Sequence, residues 1–124
     1  MIKWVSLILG GSLGTLARYT LSGIVYQVFG TRFPYGTMIV NLLGCFLAGF
    51  LTILFEDKIL LSQNIRLFVL VGFLGAFTTF STFILETANL IREGENLTAF
   101  YNVFLSVIVG FLVFRLGVLL GKII

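Results

Sequence analysis

Thr37 and Asn41 stand four residues apart in one strongly apolar stretch, and Asn102 and Ser106 stand four apart in another. On a helix each pair shares a face, which Gly44 and Cys45 continue in the first case and Gly110 in the second. Hydrocarbon offers such side chains no partner, so each needs protein or water. Hydroxyls and amides can donate hydrogen bonds without carrying the cost of a full charge. Two lengthwise polar stripes therefore have two readings. They are interhelical glue, which such residues often provide, or they line a polar pathway.

A third stretch is more unusual. Gly75, Ala76, Thr78, Thr79, Ser81 and Thr82 are all small or hydroxyl-bearing, while Phe77, Phe80 and Phe83 recur every third residue between them. Threonine is a poor helix former whose hydroxyl bonds locally to the backbone. One reading is an unwound turn at mid-membrane, whose freed carbonyls need a ligand such as a cation. The competing reading is a continuous helix with a phenylalanine packing stripe. Glu86 falls near the end of this region, within reach of the interface. Arg18 lies deep enough in the first apolar region to need snorkelling or a polar vestibule.

These residues must be carried by membrane-spanning helices. Of the 124 residues, 59% are hydrophobic and only 10% charged, with a mean hydropathy of +1.14. So few charges cannot clothe a water-soluble surface, and the outside must face lipid. The length fits a single domain over 1–124. The net charge of +3 does not argue for nucleic acid, because the cations are scattered singly and form no basic patch. Cys45 is alone and histidine is absent, which removes a disulfide, a cysteine metal site and the usual neutral-pH proton relay.

Four spans are predicted: about Trp4 to Val28, Tyr35 to Phe55, Leu67 to Ile91 with the interruption at 75–83, and Leu97 to Leu120. Lys3 before an apolar run imitates a signal peptide, but the run is read as the retained first span. Pro34 fits the start of the second helix. The small residues Gly10, Gly11, Ser12 and Gly14 suit close approach of a neighbouring backbone. Short loops make consecutive helices antiparallel. Lys3, Lys58, Arg66 and Lys122 then flank one side, against Arg32 and Arg92 on the other. That bias is mild and leaves both orientations open.

The whole chain resembles the small fluoride channel family, also described as CrcB-type fluoride ion transporters. The resemblance is carried by Gly10-Gly11-Ser12-Leu13-Gly14-Thr15-Leu16-Ala17-Arg18-Tyr19 and by Pro34-Tyr35-Gly36-Thr37-Met38-Ile39-Val40-Asn41-Leu42-Leu43-Gly44. It continues through Gly72-Phe73-Leu74-Gly75-Ala76-Phe77-Thr78-Thr79-Phe80-Ser81-Thr82-Phe83 and ends with Asn102-Val103-Phe104-Leu105-Ser106. It implies an all-α membrane fold of four transmembrane helices, the third broken near its centre. It also implies an antiparallel homodimer of dual-topology subunits, with two fluoride pathways and a structural sodium ion at the dimer centre. Backbone carbonyls of Gly75 and Thr78 from both subunits would hold the sodium. Asn41 would line each pathway, Phe80 and Phe83 would contact fluoride, and Ser106, Asn102 and Thr37 would add polar lining. Arg18 and Glu86 are vestibule candidates.

The implied activity is passive, fluoride-selective export across a bacterial plasma membrane (the inner membrane in a Gram-negative cell), not an enzymatic reaction. The implied partners are fluoride, lipid and a second, inverted copy of the chain. Two other classes compete: an ion-coupled small-molecule exporter, and a non-conducting membrane assembly subunit. The first favours a central membrane carboxylate, and none is well placed. The second explains glycine packing but not the joint presence of Asn41, Phe80 and Phe83.

Overall fold

A computed structural model describes all residues 1–124, and every regular element in it is helical. The chain opens with α1 (Ile2–Phe29), which ends where Gly30 takes a left-handed φ of 80° and returns its N–H to Tyr26 O. Pro34 precedes α2 (Tyr35–Ile53), and its carbonyl accepts from Met38 N at 3.1 Å. The helix then widens through Leu54–Lys58, where Ile59 N bonds five residues back to Leu54 O at 2.9 Å. The third helix, α3 (63–77), starts at a Ser62 cap and passes through a second wide-turned segment, Leu67–Leu74, before Gly75–Phe77. After a short interruption α4 (Phe80–Arg92) resumes the climb. Gly94, with φ of 80°, turns the chain into α5 (Asn96–Ile123).

Tyr35–Lys58, Gln63–Arg92 and Asn96–Ile123 are each long and apolar enough to cross a bilayer. The helix α1 has the length, 28 residues, but Lys3, Arg18 and its serines and threonines make it more polar.

The interruption is narrower than the sequence implied. Only Thr78 (φ −86°, ψ 155°) and Thr79 (φ −148°, ψ 114°) leave the helix. Both are extended, the conformation that β-branched side chains favour. Gly75–Phe77 and Phe80 onward remain helical on either side. The third span begins at Gln63 rather than Leu67 because the Ser62 hydroxyl accepts from Ile65 N at 3.4 Å. Its wide turns have no marker in the composition, because they depend on i→i+5 bonding.

Packing is inverted relative to a water-soluble domain. Trp4, Ile8, Leu16, Phe100, Phe104 and Phe111 point outward and are exposed, as a lipid-facing surface requires. The helix contacts are made by glycines. A Cβ on Gly10 or Gly14 would strike the carbonyls of Phe68 or Phe73, and one on Gly49 or Gly117 would strike those of Phe114 or Phe46. So α1 lies backbone to backbone against Leu67–Leu74, and α2 lies against α5 in the same way, as small residues permit in lipid. We predict that Gly117→Leu destabilises the detergent-solubilised protein by ~1–3 kcal/mol through overpacking. Gly23, which has nothing within 4 Å of a built Cβ, should accept alanine with a gain of up to ~1 kcal/mol. Thermal unfolding of the two variants checks the contrast, and equal effects would refute this packing.

Candidate functional site

The helix interruption sets the problem that the surrounding side chains solve. Breaking a helix inside hydrocarbon strands backbone donors and acceptors, each costly if unpaired. Asn41 reaches the break from α2 and binds Thr79 twice: its Nδ2 donates to Thr79 O at 2.9 Å, and its Oδ1 accepts from Thr79 N at 2.7 Å. The side-chain amide thereby replaces the backbone partners that Thr79 lost. It still holds a second N–H, because an amide nitrogen has two donors.

The two helix ends at the break are capped separately. The Thr79 hydroxyl accepts from Thr82 N at 3.3 Å and donates to Thr82 Oγ1 at 2.9 Å, which closes the start of α4. On the other side, Leu74 O accepts both the N–H and the hydroxyl of Thr78 at 3.0 Å. Arg18 Nε donates to Ala76 O at 2.9 Å, placing a cation at the carbonyl end of α3, where the helix dipole favours it. No side chain and no loop or cap N–H bonds to the carbonyls of Gly75 and Thr78. Gly75 is itself exposed.

A groove of about 550 Å³ runs along this break, lined by Asn41, Gly44, Cys45, Gly75, Thr78, Thr79, Phe80, Phe83 and Ser106 among others. Phe83 is buried at 6% exposure, whereas Phe80 projects with 74% of its surface free. Their ring centroids are 5.7 Å apart and tilted by 48°. The Ser106 hydroxyl is buried without a hydrogen-bond partner, so its donor and acceptor capacity is uncommitted. The groove therefore combines an amide with a spare N–H, an unpaired hydroxyl and two tilted aromatic rings. Every one of these groups is neutral, and each can present positive partial charge.

The two polar stripes separate along their length. Thr37 lies outside the groove and donates to Glu86 Oε1 at 2.9 Å, beside Tyr26 OH, which donates to the same oxygen at 2.9 Å. Glu86 is thus turned inward on two hydroxyls instead of standing free at the interface, and its Oε2 is buried without a partner. Glu86 also lines a smaller cavity of about 270 Å³ with Arg32, Asn89 and Glu93. Asn102 lies outside the groove as well. At 1% exposure it donates to Thr87 Oγ1 at 2.9 Å, and Thr87 donates to Phe83 O at 2.7 Å. It ties α5 to α4, while Ser106, one turn on, faces the groove.

The sequence reading assigned Asn41, Phe80, Phe83, Ser106, Thr37 and Asn102 to an anion path and Gly75 and Thr78 to a cation site. The structure brings Asn41, Phe80, Phe83, Ser106, Gly75 and Thr78 to one groove and places Thr37 and Asn102 outside it. The sequence reading left out Tyr26 and Thr87, whose hydroxyls complete the two outlying clusters. Thr87 had a readable signal, a hydroxyl one turn beyond Phe83. Tyr26 had none, because its partners are 11 and 60 residues away.

Comparison with known proteins places this arrangement in a group of relatives. Residues 5–118 match the model of the family described as CrcB-like protein, camphor resistance. A protein of Desulforapulum autotrophicum named fluoride-specific ion channel FluC is 51% identical over 122 residues, 98% of each chain. Proteins of the same name from Magnetococcus marinus and Hydrogenobaculum are 47% identical over 123 residues and 45% over 120, covering at least 97% of each chain.

The Asn102–Thr87 tie yields a stability prediction. Asn102→Ala should cost ~1–3 kcal/mol, the range for losing a buried hydrogen-bond partner. Ser12→Ala, which removes only an exposed bond to Ile8 O, should stay within ~0.5 kcal/mol. Denaturant titration in detergent measures both, and an inert Asn102→Ala would disprove the tie.

Proposed function

The chain belongs to the CrcB-like family, and on that premise we propose that it is a fluoride-specific ion channel through which cytoplasmic fluoride leaves down its electrochemical gradient. The observation that carries the reading is the groove at the helix break, with its uncommitted neutral donors beside Phe80 and Phe83. Fluoride is small and strongly hydrated, so a pathway must offer replacement donors as water is shed. The spare N–H of Asn41 and the hydroxyl of Ser106 supply them. The aromatic edges of Phe80 and Phe83 supply positive partial charge without a net charge that would trap the ion. Several moderate contacts in series allow the anion to leave as well as arrive.

One copy leaves the groove open along a face on which Gly75 and Phe80 are exposed. We assign the missing wall to a second copy, inserted in the inverted orientation that the mild flanking-charge bias permits. In that arrangement α1 crosses the bilayer as the fourth span of each subunit, its glycine face held against α3. The assembly is a multi-pass protein of a bacterial plasma membrane, in keeping with the bacterial relatives.

A sodium ion suits the break. The carbonyls of Gly75 and Thr78 are neutral, hard oxygen donors that no side chain or loop N–H meets, the donor type that coordinates sodium at unwound membrane helices. These two residues, with their counterparts in the second copy, would hold it. A bound sodium would neutralise the freed carbonyls and add a positive field beside the anion path. Thr37 and Asn102 serve this pathway from behind, by fixing α2 and α5 to α4. Arg18 and Glu86 sit where vestibules would meet it. Glu86, the one carboxylate of the third span, lies on Tyr26 and Thr37 outside the groove rather than in it.

Fluoride efflux from proteoliposomes under an imposed potassium gradient tests the reading. Fast electrogenic fluoride release with chloride retained is expected, and comparable chloride passage or none of either would overturn it. Phe80→Ile and Asn41→Asp should each slow efflux roughly tenfold or more, which corresponds to ~1.4 kcal/mol of barrier or greater. Ordinary fluoride efflux in both variants would remove these residues from the pathway.

A further inference from the structure

We infer that Arg18 is a positioning residue that holds the α3 side of the helix break and keeps the Gly75 and Thr78 carbonyls presented to the groove. Gly10, Gly14, Arg18, Ser22 and Tyr26 recur every fourth residue along α1. Each such step advances the helix face by only ~40°, so these residues form one slowly turning seam. Its partners are consecutive in space. Gly10 meets Phe68 and Gly72, Gly14 meets Phe73, Arg18 meets Ala76, Ser22 meets Gly36, and Tyr26 meets Thr37 and Glu86.

The glycines bring the α1 backbone against Leu67–Leu74 so closely that the next seam position falls opposite the last turn of α3. Arginine there meets a helix end in which Ala76 O would otherwise lack a partner. Only Nε is used, at 2.9 Å, and the planar guanidinium fixes the direction of that bond. Asn41 holds the other lip through Thr79. The two lips are therefore clamped from different helices, α1 and α2. Gly75 and Thr78, which flank the clamped Ala76-Phe77 segment, have carbonyls that no side chain or loop N–H meets.

This inference rests on the channel reading for its functional consequence, but its structural test does not. Full-length wild type, Arg18→Met, Arg18→Gln and Arg18→Lys are reconstituted in liposomes. Amide hydrogen exchange at 77–80 is then followed together with fluoride efflux. Arg18→Met should raise exchange at the break about tenfold, the order for one charge-assisted hydrogen bond, and should slow efflux, while 10–14 stays protected. Arg18→Gln, a neutral side chain that still donates, should recover part of both. Unchanged exchange in Arg18→Met overturns the proposal whatever the efflux. Recovery by Arg18→Lys but not by Arg18→Gln overturns it in favour of a purely electrostatic role. A wild type that retains fluoride would instead reject the channel reading and leave the exchange result to judge Arg18.

Discussion

A helix interrupted inside hydrocarbon must have its backbone groups satisfied by something other than itself, and the rest of this structure depends on that demand. Thr78 and Thr79 leave the helix, and the groups they release are met by an amide from α2, a guanidinium from α1 and their own hydroxyls. Each substitute donor or acceptor must arrive at hydrogen-bonding distance, so the packing of α1 and α2 is dictated to within a fraction of a turn. Among the carbonyls that no side chain or loop N–H meets are those of Gly75, Phe77 and Thr78. What is left over at the break is therefore the part available for ion chemistry.

The glycine contacts follow from the same requirement. Lipid gives helices no hydrophobic reason to associate, so close backbone approach must supply the contact energy. Gly10 and Gly14 set α1 against α3, and Gly49 and Gly117 set α2 against α5. Between these two pairs, Asn102 and Thr87 bind α4 to α5, and Tyr26, Thr37 and Glu86 bind α1, α2 and α4 at one end. The half-helices on either side of the break are thus both held by α1, and α4 is held by α5 as well.

The division between committed and uncommitted polar groups explains how such a groove can treat an anion. Purely apolar walls would not replace a small anion's water, whereas several moderate polar contacts let it both enter and leave. Here Arg18 is engaged by a carbonyl, Asn41 keeps one donor in reserve, and the Ser106 hydroxyl is free. Phe80 and Phe83 add ring edges of positive partial charge. Partial charges spaced along a narrow face are weaker than a salt bridge and can act in succession.

Much of this was legible in the residues themselves, for definite reasons. Hydropathy fixed the helical, membrane-facing character, because charges this few cannot clothe a soluble surface. The cluster of hydroxyl and small residues at 75–83 marked the break, because β-branched residues favour extended backbone. Spacing placed Asn41 and Ser106 on polar stripes, since a four-residue interval keeps one helix face. Spacing could not say what stood opposite each stripe. Only the tertiary structure directed Thr37 to Glu86, Asn102 to Thr87 and Asn41 to both backbone groups of Thr79. It also narrowed the break to two residues and gave Arg18 a carbonyl partner at Ala76. Those outcomes depend on partners 15 to 58 residues away, and periodicity along one helix carries no information about its neighbour.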